Sequence, residues 1–145
     1  TALDWPEVLT VAQQQAKALQ LETQLRVLGG GFHNLQLPEK AFDVAILANT
    51  THLETPAQNQ RLFRKVHQAL DTSGKAVIID VFPGSVEGDL TRLLYRLGLA
   101  LRTEHGQVYS HEELSQQLRE AGFISSELTL LQSPPHILGM LVAGT

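Results

Sequence analysis

The chain has 145 residues, 43% of them hydrophobic, which is enough for one ordinary core and too little for two full domains. A formal charge of -4, a pI near 5.8 and 11 scattered Lys and Arg residues argue against nucleic acid as a partner. No apolar run has the length of a bilayer span, no signal-peptide layout opens the chain, and without cysteine there is no disulfide framework or thiolate metal site. These features fit a cytoplasmic protein with no membrane partner.

Taken in chain order, "TALD" reads as the end of a strand, and Pro6 opens a helix over 7 to 20 with Val8, Leu9, Ala12, Ala16 and Leu19 on one face. "LRVLGG" predicts a strand at 25 to 29 closed by three glycines. "AFDVAILAN" predicts a second at 42 to 48, apolar enough to be buried on both faces. A helix from Pro56 to Leu70 carries Leu62, Phe63, Val66, Ala69 and Leu70 as a core stripe, with "DTSG" as its stop. "KAVIIDVF", 75 to 82, is another buried strand, broken by Pro83-Gly84. A leucine-rich helix follows at 89 to 101. A further helix at 111 to 121 has Ser110 as N-cap, Glu113 in the capping-box position and Gly122 past its end. The segment 123 to 144 reads as an antiparallel hairpin around a Ser-Pro-Pro turn.

Strands alternating with helices predict an α/β sheet, mostly parallel with a C-terminal antiparallel hairpin. Ligands of such sheets bind beyond the C-terminal ends of the strands. The residues to examine are therefore Asp4 and Trp5, Gly30 to Phe32, Asn49 to His52, and Asp80 to Phe82.

The ordered series "LDWPEV", "RVLGGGF", "FDVAILANTTHL", "LFRKVHQALDTSGKAVIIDV" and "LREAGF" resembles the catalytic domain of class I S-adenosylmethionine-dependent methyltransferases, of the small-molecule O-methyltransferase type, over nearly the whole chain. The resemblance implies a Rossmann-like sheet, S-adenosylmethionine as cofactor and a small-molecule acceptor. It also implies that the first strand and its glycine loop lie upstream of Thr1, so that 1–145 is a partial catalytic domain. An N-terminal domain through which such enzymes form homodimers would lie upstream too.

By the same resemblance Asp4 holds the cofactor ribose, for which a carboxylate suits two hydroxyls, while Trp5 and Phe32 offer flat surface to the adenine. Asn49 is expected on the cofactor side of the next strand end. The family's acid after the second strand is Gly31 here, and a lysine of some plant members is Ala48. The alternatives are an N-cap role for Asp4 and core roles for Trp5 and Phe32.

In the plant-type enzymes a histidine past this strand is the general base and a carboxylate at the next strand end orients it. His52 and Asp80, 28 residues apart, match that spacing. An imidazole is a suitable base near neutral pH, and a carboxylate on one ring nitrogen leaves the other free to accept. A second supporting acid of the plant enzymes falls near Val108, where none exists. The alternative is that His52 and Asp80 are ordinary strand-end polar residues.

Leu90, Leu93, Leu94, Leu97 and Leu101 match the segment covering the acceptor pocket, which implies an apolar, aromatic acceptor; core packing is the other reading. No histidine or carboxylate spacing supports a metal site, and His67 reads as structural. Two other classes remain: a non-catalytic binding or oligomerisation module, and a nicotinamide-binding Rossmann domain.

Overall fold

A computed structural model describes residues 1–83, 90–132 and 137–145. Gly84, the start of the leucine-rich helix at Asp89, the Ser-Pro-Pro turn and His136 lie outside the described residues. The chain divides into two compact units, Thr1–Gln36 and Leu37–Thr145.

The first unit pairs β1 (Ala2–Asp4) in parallel with β2 (Val27–Gly29), and α1 (Pro6–Ala18) connects them. Pro6 sits in the first helical turn, where its missing N–H is not needed. Of the predicted apolar face of α1, Leu9 is buried and Ala12 and Ala16 are half-buried, whereas Val8 and Leu19 are exposed.

The second unit is a four-stranded mixed sheet in the order β3-β4-β6-β5. Its strands are β3 (Phe42–Ala48), β4 (Leu70–Val81), β5 (Ser125–Leu130) and β6 (Leu138–Gly144), and its helices α2 (Pro56–Ala69), α3 (Leu90–Arg102) and α4 (His111–Ala121). β3 and β4 run parallel; β6 pairs antiparallel with β5, as the hairpin pattern predicts, and on its other side antiparallel with β4. The core centres on Phe63 of α2, Leu114 and Leu118 of α4, and Ala76, Ile78 and Leu141 of the sheet.

Several features differ from expectation: the strand predicted at 25 to 29 is only Val27–Gly29, and two further readings change. Leu70 does not close the helix. It is extended (φ -78°, ψ 146°) and pairs with Phe42 as the first residue of β4, and "DTSG" is a bulge before the ladder resumes at Lys75 opposite Val44. β3 is not buried on both faces: it is an edge strand of this sheet, and Ile46 on its outer face is 66% exposed. Both capping boxes are formed, Ser110 with Glu113 ahead of α4 and Thr55 with Gln58 ahead of α2, the second of which had not been expected. Gly122 ends α4 at φ 112°, a left-handed conformation that also lets the His67 ring approach. His67 stacks edge-on against Phe123, a structural arrangement. Among the described residues no helix is long and apolar enough to cross a membrane.

Candidate active site

In the second unit, β3 and β4 end side by side, and the chain leaving β3 turns at Asn49 and enters a short 3-10 turn at Thr51–Leu53. Asn49 takes φ 52°, tolerated better by Asn than by most residues, and its amide donates to the Ile79 carbonyl. This turn carries His52 across to the end of β4. His52 Nδ1 lies 2.6 Å from Asp80 Oδ1, and both side chains are buried, Asp80 with only 2% of its surface exposed.

Asp80 accepts from three further donors. Thr51 Oγ1 donates to Oδ2 at 2.6 Å, the His52 backbone amide to Oδ2 at 3.2 Å, and the Val81 amide to Oδ1 at 2.8 Å. A carboxylate so surrounded has no donor of its own, so the short bond to Nδ1 requires the proton on that nitrogen. The lone pair is thereby assigned to Nε2. The hydroxyl of Tyr95, on α3, stands 3.2 Å from Nε2. Burial, then the Asp80 charge, raise the Tyr95 pKa above its ordinary 10.0, opposed by Arg102, so this hydroxyl is a donor at neutral pH.

The backbone beneath the histidine is held as well. Gln107 donates its amide to the His52 carbonyl at 2.8 Å, Asn59 Nδ2 to the Thr51 carbonyl at 3.0 Å, and the buried Tyr109 hydroxyl to the Glu54 carbonyl at 2.6 Å. Thus the segment around Val108, which lacks an acid, still braces His52 through its neighbour's amide, and Thr51 supplies a hydroxyl to Asp80. No role had been expected for Thr51 within the 49 to 52 segment, and Tyr95 and Gln107 had not been singled out. The available signal was that Thr51 adjoins His52 and that Tyr95 interrupts a leucine series.

The first unit gathers the other expected residues. Asp4 ends β1, and its Oδ1 accepts from the Trp5 amide at 2.8 Å; the α1 N-cap is Trp5, with no side-chain cap, so the capping role for Asp4 is not realised. Trp5 is 61% exposed, and its indole lies over Gly31, where a Cβ would stand 3.4 Å from Trp5 Cη2. A larger residue at 31, such as the acid expected there, would press on that ring. Phe32 is half-buried and packs against the His33 ring at 4.4 Å. An exposed strand-end carboxylate, an open indole face and a glycine that gives close access to backbone are chemically suited to a nucleoside. On α3, Leu90, Leu93, Leu94, Leu97 and Leu101 are all exposed and Leu99 is buried, so the stripe is not part of the core within residues 1–145.

A family model for an O-methyltransferase domain matches residues 1–124. The chain is similar to the tetracenomycin polyketide synthesis 8-O-methyl transferase of Streptomyces glaucescens, with 29% identity over 135 residues, 92% of this chain and 39% of that protein. Among solved structures it resembles a putative O-methyltransferase from Nostoc punctiforme, with TM-score 0.89, 26% identity and coverage of 99% of this chain and 43% of that one. It also resembles human N-acetylserotonin methyltransferase in complex with SAM, with TM-score 0.78, 25% identity and coverage of 98% and 39%. The chain therefore spans less than half of each relative. With its α/β mixed sheet superimposing on theirs and the family model matching most of its length, the chain belongs to the O-methyltransferase domain family.

Proposed function

We propose that this chain is part of the catalytic domain of an enzyme that methylates a hydroxyl on an apolar, aromatic small molecule, with His52 as general base. The observation that carries the reading is the 2.6 Å bond from His52 Nδ1 to a buried Asp80, which leaves Nε2 as the proton acceptor. S-adenosylmethionine, when bound, supplies a methyl group already activated on a sulfonium. Asp4, Trp5, Gly31, Phe32 and Asn49 are the residues proposed to hold it.

The protein's own task is then proton management and alignment. A phenol is a weak nucleophile until its proton leaves. Nε2 takes that proton, and Asp80 stabilises the imidazolium through Nδ1–H while fixing the ring's orientation. The exposed leucines of α3 supply apolar surface suited to an aromatic acceptor. Family membership favours this over a nicotinamide-binding domain, and the intact His-Asp pair favours it over a non-catalytic module. A homodimer and a cytoplasmic location are expected of the full-length protein from the resemblance and composition.

The test is calorimetric titration of the full-length protein with S-adenosylhomocysteine, joined to turnover assays on phenolic acceptors. Asp4→Ala should weaken cofactor binding by about 1.5 to 3 kcal/mol. His52→Gln should keep cofactor affinity and lose about 10² to 10⁴ in turnover. Near-full activity in His52→Gln, or a methyl group found on carbon, would sink the reading.

A further inference from the structure

Nε2 of His52 has one lone pair, and the Tyr95 hydroxyl already donates to it at 3.2 Å, with the two rings edge to face at 5.7 Å. If His52 is the base, as proposed above and as this inference requires, an acceptor hydroxyl and Tyr95 contend for the same lone pair. We propose that Tyr95 is a place-holder for the acceptor hydroxyl: the incoming hydroxyl displaces it from Nε2, and it reclaims Nε2 as the methylated product leaves.

The chemistry is an exchange of like for like. A phenolic acceptor replaces the tyrosine phenol with a donor of the same class, so the base gives up little on binding substrate. After transfer, the acceptor's former proton sits on Nε2 and passes to solvent. The product is then an ether with no O–H to donate, whereas Tyr95 can still satisfy Nε2. Return of the tyrosine therefore favours product release.

Three features fit displacement better than a fixed strut or a proton relay through Tyr95. The 3.2 Å contact lies at the long end of protein hydrogen-bond distances between oxygen and nitrogen. Tyr95 is only partly buried and lies between exposed leucines on α3, so its ring can swing outward without opening the core. Burial and the Asp80 charge also disfavour the tyrosinate that a relay would approach.

The experiment measures binding of phenol and of its methyl ether, anisole, to full-length wild type, Tyr95→Phe, His52→Leu and the double variant. Phe keeps the ring and removes only the hydroxyl. With no hydroxyl to displace, Tyr95→Phe should bind both probes about two- to tenfold more tightly, and anisole should dissociate more slowly by a similar factor. In the His52→Leu background the same change should have no effect, because there is no lone pair to contend for. Should that background fail to fold, fluorotyrosine at position 95 provides a second readout: its resonance should move when phenol binds wild type. Unchanged or weaker phenol binding in Tyr95→Phe, or a fluorotyrosine signal indifferent to phenol, overturns the place-holder. If Tyr95→Phe and the folded double variant bind phenol equally, or His52→Gln retains turnover, it is the base reading that falls.

Discussion

Four donors converge on the Asp80 carboxylate, and their number decides what substitution there would do. Thr51→Val removes one hydroxyl from a charged acceptor and should lower stability by about 1.5 to 3 kcal/mol in chemical denaturation, with a fall in turnover as the His52 orientation loosens. Asp80→Asn is more severe. An amide has one acceptor oxygen, and its NH₂ must face groups that are themselves donors, so both stability and the Nδ1–H tautomer suffer. A folded Asp80→Asn protein with wild-type turnover would show that the carboxylate does not serve the base.

The tyrosines add a pH dependence at the same scale. Burial raises the pKa of Tyr109 above its ordinary 10.0, with the Glu113 and Glu54 charges adding and hydrogen bonds to Gln107 and Asn59 opposing. Tyr95 is shifted the same way. A raised folded-state pKa contributes stability that is fully present below about 10 and is lost as pH rises through the folded value. Melting curves from pH 8 to 11, roughly, should therefore fall more steeply above the ordinary tyrosine range in wild type than in Tyr109→Phe; parallel curves would contradict the shift.

Among elements, β6 and the end of β4 are locked by close packing. A Cβ at Gly139 of β6 would lie 2.7 Å from Phe82 Cδ2 and 2.9 Å from Leu128 Cδ1. Phe82 is wholly buried two residues after Asp80, so Gly139→Ala should cost about 1 to 3 kcal/mol by overpacking, and should disturb the site through the end of β4. Thermal melting and His52 ring resonances would report both; an Ala variant as stable as wild type would mean Phe82 has room to yield. Ser110→Ala, by contrast, removes only a helix cap and should cost about 0.5 to 2 kcal/mol in chemical denaturation.

For the whole molecule, the two units differ in what they bury. Thr1–Gln36 has three-residue strands and Leu9 as its only buried residue among those described, while Leu37–Thr145 contains the extended core of α2, α4 and the four-stranded sheet. Backbone amides of β4 and β6 should accordingly exchange with solvent far more slowly than those of β1 and β2, by roughly 10² or more, since protection follows local burial. Uniform protection along the chain in hydrogen-exchange mass spectrometry would refute this.

Local periodicity and capping were sufficient for most elements: the Ser110 box, the Gly122 stop, the strand at 42 to 48 and the closing hairpin all follow from rules acting over a few residues. The pairing of His52 with Asp80 was legible through the family resemblance, and it forms because parallel neighbouring strands bring equivalent ends together. What lay beyond the sequence depended on neighbours distant along the chain. Leu70 reads equally as the last apolar residue of a helix stripe or the first of a strand, and only pairing with Phe42 decided it. The outer face of β3 could be judged only once its place at the sheet edge was known. Tyr95 is 43 residues from His52, and no local rule predicts which residue of a leucine-rich helix will reach a particular ring nitrogen. Residue types and short spacings determined most of the elements, and the family resemblance pointed to the His-Asp pair; the hydroxyl set against its free nitrogen was decided by tertiary packing, which alone brings such distant residues within hydrogen-bond range.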